Sequence, residues 1–133
     1  MSEAKEQLDP KKVLAEQKAW LVQRGDAIGE LAREKGDWKN QIQGMAEAAR
    51  RETEPLVLLN LLRYQATRNK NWKQGTDVFS PLEADMKACI EKANQDPELA
   101  VLLIQHLLAY TYRAYTYHYE MHKAKKPAGR EAS

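Results

Sequence analysis

The run "PELAVLLIQHLLAYTYRAYTYHYEMHK", residues 97–123, decides the fold. With side chains placed at helical intervals, Leu99, Leu103, Ile104, Leu107, Leu108, Tyr110, Ala114 and Tyr115 spread over more than half the circumference. Glu98, Gln105, Ala109, Arg113, Thr116 and Glu120 are left as the opposite strip. A helix wetted along so narrow a strip belongs in the middle of a bundle, or is shared with a neighbouring subunit. Asp96-Pro97 starts it, the aspartate as cap and the proline in the first turn.

The same device, Asp9-Pro10, opens a first helix that runs to about Arg24 through Val13, Leu14, Trp20 and Leu21. Gly25 interrupts, and a short helix with Ile28 and Leu31 on its apolar face follows to Lys35. Gly36-Asp37 is the next break, and a helix then extends from Trp38 to about Glu52. Pro55 ends that run, because the residue before a proline is pushed out of helical geometry. Another helix spans about Leu56 to Asn69 and gives way to the loop "NKNWKQGTDVF", residues 69–79. Ser80-Pro81-Leu82-Glu83 reads as a capping box opening a helix to about Asn94. There is no internal repeat and no alternating strand pattern. The expected fold is all-α, a compact bundle of about five to six helices. One domain covers residues 1–123, with a flexible tail over 124–133.

Composition agrees. The 133 residues are 43% hydrophobic and 30% charged, a globular balance. A chain of this length buries about two-thirds of its unfolded surface. Cys89, the single cysteine, excludes an internal disulfide and a cysteine-based zinc site; inside "EADMKACIEKA" it reads as a small apolar filler. The amino terminus has no apolar signal-peptide core and no run reaches membrane-spanning length, so a cytoplasmic protein with no membrane partner is expected.

The formal charge of +2 hides an uneven distribution. Residues 1–54 and 80–99 are net acidic, whereas residues 55–79 and 100–133 are net basic. Between Glu54 and Asp77 there is no acid at all, while Arg63, Arg68, Lys70 and Lys73 fall inside. On the helical wheel Asn60, Arg63, Thr67 and Lys70 crowd into one strip. A solvated helix face ordinarily mixes Glu with Lys at helical spacing. Removing the anions suits a surface that faces phosphate. Aromatic residues beside cations suit single-stranded nucleic acid, where bases stack and phosphates pair. Tyr64 reads as core; Trp72 reads equally as a base-stacking residue or as a plug holding the loop to the bundle.

Nothing in the chain spells catalysis. A nucleophile with a base, paired carboxylates or a glycine-rich phosphate loop would be needed. Glu52 and Glu54 lie in a turn, where exposed carboxylates are the default. No catalytic residue and no cofactor is expected. His118 and His122, one turn apart in "HYEMH", have chelating spacing, but a third ligand is not evident and the order is not that of a zincin, so no metal site is expected. His106 reads as a polar surface residue.

Two segments carry a family resemblance. Tyr64-Gln65-Ala66-Thr67-Arg68 resembles the Tyr-Gln-Ala-Gly-Arg stretch in the small subunit of type III-A CRISPR effector (Csm) complexes, with Thr67 standing where that family has glycine. "LLAYTYRAY", residues 107–115, is similar to the Leu-Val-Ala-Tyr run that ends the family's final helix. The order also matches over about residues 55–120, and loosely over 38–52: a basic helix end, a loop, a helix, an acidic break and a long last helix. The family's terminal Gly-Gly is replaced by "HYEMHKAKKP".

The resemblance implies a small non-catalytic helical subunit of an RNA-guided antiviral effector, present in several copies. Its partners would be crRNA and target RNA, other copies of itself, the repeating backbone subunit and the large subunit. Base pairing reads the sequence there, so the protein needs only backbone contacts. Arg68 is the cation matched to the family. Arg63, Lys70 and Lys73 extend the set along the basic strip, and Arg50, Arg51 and Arg113 extend it further. The alternative is a helical protein-interaction module without RNA binding, with the apolar last helix as its interface.

Overall fold

The computed structural model describes residues 9–35, 38–68 and 76–125. They form five helices: α1 (Pro10–Lys35), α2 (Lys39–Arg51), α3 (Pro55–Arg68), α4 (Thr76–Lys92) and α5 (Pro97–Lys125). No strand occurs among the described residues, and no helix there is long and apolar enough to cross a membrane. The all-α bundle expected from the sequence is the architecture found.

α5 is the central element, in contact with all four other helices. Its Leu103, Ile104, Leu107 and Leu108 are fully buried, and around them close Leu21 and Ile28 of α1, Ile42 and Met45 of α2, Leu58 and Leu62 of α3, and Leu82, Met86 and Cys89 of α4. Between Leu99 and Leu108 the apolar breadth of α5 is thus consumed inside one chain, whereas Tyr117, Tyr119 and Met121 further on are exposed. The predicted start is also found: the Asp96 carboxylate accepts the Leu99 N–H at 3.2 Å, and Asp9 caps α1 by accepting the Lys11 N–H at 3.1 Å. At the far end α5 continues through Lys125, two residues into the segment assigned to the tail.

Two boundaries differ from expectation. Gly25 does not interrupt α1, which is one helix of 26 residues. Gly25 and Gly29 mark the place where α1 lies directly on the backbone of α5. A Cβ at Gly25 would stand 2.7 Å from the Tyr110 Cβ and 2.9 Å from the Thr111 nitrogen. One at Gly29 would stand 2.6 Å from the Tyr115 nitrogen and 2.8 Å from the Thr111 carbonyl oxygen. These glycines serve close approach, not a turn. Thr111, buried at the crossing, donates its hydroxyl to the Leu107 carbonyl at 2.8 Å and so brings no unsatisfied polar group into it.

The second difference is α4. It begins at Thr76, a turn before the capping box, and carries Pro81 inside. As the sixth residue of α4, Pro81 lies past the first turn, so the helix forgoes the N–H bond to the carbonyl four residues back. Glu83 is therefore not a capping residue, and its carboxylate is used elsewhere.

An ion pair joins α1 to α4. Arg24 Nε donates to Asp85 Oδ2 at 2.7 Å, with Asp85 buried. Burial raises the Asp85 pKa above 3.8, outweighing the hydrogen bond and charge of Arg24, which lower it. In the pH interval just above 3.8 the folded chain holds a proton that the unfolded chain has released, so this group's contribution to stability falls as pH rises. Wild type should therefore gain stability relative to Asp85→Asn as the pH is lowered from neutrality toward that value. Urea midpoints of both proteins across the interval give the comparison; a gap that moves the other way would make Arg24 the dominant influence. Cys89, one turn further along α4, has its thiol pushed up to about 12 by burial and by Asp85, which fits the inert apolar filler expected.

Candidate nucleic-acid interface

The turn before α3 is organised by its two acids. Glu52 accepts the N–H groups of Thr53 and Glu54, each at 3.1 Å, and Glu54 accepts that of Leu56 at 3.2 Å. These carboxylates, expected to be merely exposed, satisfy backbone donors ahead of Pro55. α3 then buries Leu58, Leu59 and Leu62 and turns Leu56, Val57, Asn60, Arg63 and Tyr64 outward. Tyr64 is 51% exposed, so the expectation that it is core is corrected: it stands on the outer face beside a shallow groove lined by Ala48, Val57 and Leu61.

Arg63 requires the main correction. Its Nε donates to Glu83 Oε2 at 2.6 Å. The strip lacks acids along the helix but not in space, because α4 brings one across from 20 residues further on. Arg63 is the counter-ion of Glu83 rather than an unpaired cation facing a ligand. Both ends touch solvent, so the pair contributes only about 0–1 kcal/mol to stability. It still places a negative charge where phosphate was expected. Of Arg68, the position at the end of α3 is described and the side chain is not; Lys70, Trp72 and Lys73 lie outside the described residues.

The remaining three cations differ from Arg63. Arg50, Arg51 and Arg113 are exposed, and none of them forms an ion pair among the described residues. Arg50 and Arg51 occupy the last turn of α2, where the helix end favours positive charge. That end is fastened to α5 by Gln105, whose Nε2 donates to the Ala49 carbonyl at 2.8 Å. Arg113 lies about 12 Å further along α5 by helical rise. Its guanidinium sits 5.6 Å from the centre of the Tyr110 ring, within the range of a cation–π contact, and that ring packs on His106 at 5.9 Å.

His106 reports the local field. Its pKa is lowered, first by burial and then by the charges of Lys18 and Arg113. Arg113 and His106 thus flank the Tyr110 ring, and the charge of Lys18, from α1, also acts on His106. Sequence reasoning missed Lys18, which comes from another helix and carries no motif, and took His106 as a polar surface residue on the same face as Arg113. The structure thus leaves the paired Arg63 on α3 and places unpaired cations on α2 and α5. Compared with models of protein families, with curated proteins and with solved structures, the chain matches none.

Proposed function

We propose that the chain is a non-catalytic helical subunit of an RNA-guided effector, of the type III small-subunit kind that its Tyr64–Arg68 and Leu107–Tyr115 segments resemble. It contacts the RNA backbone and packs against protein neighbours. The observation that carries the reading is the set of Arg50, Arg51 and Arg113, exposed cations without an ion pair among the described residues. Guanidinium groups left uncompensated suit phosphate, which they bind in bidentate fashion. Tyr110 beside Arg113 adds an aromatic platform. The outer face of α3, with Leu56 62% and Val57 45% exposed, suits a protein neighbour of the same assembly.

A second reading, a protein-interaction module that binds no RNA, is favoured by one observation: the Arg63–Glu83 pair removes the cation around which the basic strip was drawn. In that reading the α3 face is the interface, since Leu103, Ile104, Leu107 and Leu108 of α5 are buried inside the bundle.

Filter binding of single-stranded RNA to the full chain separates the two. With three phosphates neutralised, log affinity should fall against log salt with a slope of about −2, almost independently of RNA sequence. Arg50→Glu, Arg51→Glu and Arg113→Glu together should abolish retention while helical circular dichroism is kept. Arg63→Gln should change retention little. If no RNA is retained even at low salt, the interaction-module reading stands instead; if the triple variant retains RNA unchanged, Arg50, Arg51 and Arg113 are not the RNA face.

A further inference from the structure

Each of the two glycines at the α1–α5 crossing is followed by an acid, in the run Gly25-Asp26-Ala27-Ile28-Gly29-Glu30. Asp26 and Glu30 are one helical turn apart on α1, so their carboxylates share a side of the helix. Two like charges at that spacing repel in the absence of a cation. Because the glycines let the two backbones touch, these side chains reach across to α5. Asp26 Oδ1 stands 3.0 Å from His118 Nε2. One ligand atom from each of Asp26, Glu30 and His118 lies within 4.8 Å of the other two.

A single carboxylate would satisfy one ring N–H; two carboxylates converging on an imidazole are a donor set. Imidazole nitrogen with carboxylate oxygen suits first-row transition ions, whereas magnesium and calcium prefer oxygen alone. Around a tetrahedral ion with bonds of about 2.0–2.2 Å, neighbouring donors stand roughly 3.4 Å apart. The Asp26–His118 separation of 3.0 Å needs only a small opening to reach that distance. The ring is half-buried while both acids are exposed, so the nitrogen is held in place and an ion can enter from solvent. As a sequence, His118 had no carboxylate partner; α1 supplies two in space.

We propose that Asp26, Glu30 and His118 form a site for a divalent transition-metal ion, with zinc as the representative, that clamps α1 to α5. The ion replaces the hydrogen bond between Asp26 and His118, and water completes its coordination. The site is separate from the RNA-facing cations, so either proposal stands or falls alone.

The test is calorimetric titration of the untagged full chain with zinc chloride, with magnesium chloride as comparison. About one zinc per chain is expected, with no heat of binding from magnesium. The melting temperature should rise with zinc concentration, since the ion binds the folded chain. Asp26→Asn and Glu30→Gln should each weaken zinc by about tenfold or more, and His118→Gln should weaken it further. Glu30 is exposed, so its variant folds and keeps the comparison fair. His122→Ala should cost less than His118→Gln. The proposal is overturned if zinc is not taken up, if uptake survives His118→Gln, or if the two carboxylate variants bind zinc as wild type does.

Discussion

Replacing Gly29 by alanine destabilises the chain, and the same replacement at Gly44 stabilises it. Both glycines lie inside helices, where alanine is favoured by about 1 kcal/mol. At Gly44 a Cβ would meet nothing within 4 Å, so that gain should appear in full. At Gly29 it would stand 2.6 Å from the Tyr115 backbone nitrogen, 2.7 Å from the Ala114 Cβ and 2.8 Å from the Thr111 carbonyl. No flexible side-chain end is available to yield, so α1 must move off α5. Overpacking of a close contact costs about 1–3 kcal/mol, and the most extensive interface of the bundle has to absorb it. The propensity gain is common to both sites, so the two substitutions should separate by the overpacking cost, about 1–3 kcal/mol in urea denaturation, with Gly44→Ala above wild type and Gly29→Ala below it. A stabilised Gly29→Ala protein would mean that the crossing is looser than described.

The same crossing shows what a sequence can and cannot announce. The placing of α5 at the centre was one of the two positions that a wide apolar arc admits, the other being a helix shared between subunits, and the starts at Pro10 and Pro97 were legible because their caps are local. Gly25 was not. A glycine that ends a helix and a glycine that admits a neighbouring backbone look alike until the neighbour is known. Ser80-Pro81-Leu82-Glu83 misled for a similar reason. The pattern is a local one, but Glu83 bonds Arg63 on another helix, and α4 starts at Thr76.

That pair also explains the fate of the acid-free window. Counting charges along a chain finds only neighbours in sequence, whereas Arg63 is neutralised by an acid from the next helix. The cations that do stay unpaired, Arg50, Arg51 and Arg113, were the outermost members of the expected set. Their common property, exposure without an ion pair among the described residues, exists only once the helices are packed. Asp26, Glu30 and His118 are hidden from the sequence in the same way, because 92 residues separate Asp26 from His118.

Trp38→Ala should be the most damaging single truncation. Trp38 precedes α2 and is fully buried, the largest side chain to be so. Its backbone N–H donates to the Tyr115 hydroxyl at 3.1 Å, which anchors the start of α2 to the central helix. Removing a buried tryptophan costs about 3–5 kcal/mol through lost burial and the cavity left behind. Against a total stability of about 5–15 kcal/mol, that loss is a large part of what holds a domain together. Tyr115→Phe isolates the anchor: the core keeps its volume but the buried N–H loses this acceptor, at about 1–3 kcal/mol. Among the described residues α2 is held at its other end by its packing and by Gln105, so the truncation should loosen this helix first. Hydrogen exchange in Trp38→Ala should accordingly speed up across residues 39–51 more than across α1 and α5. Uniform acceleration throughout the bundle would show instead that α2 opens only with the whole fold, and that Trp38 stabilises the bundle globally rather than docking one helix.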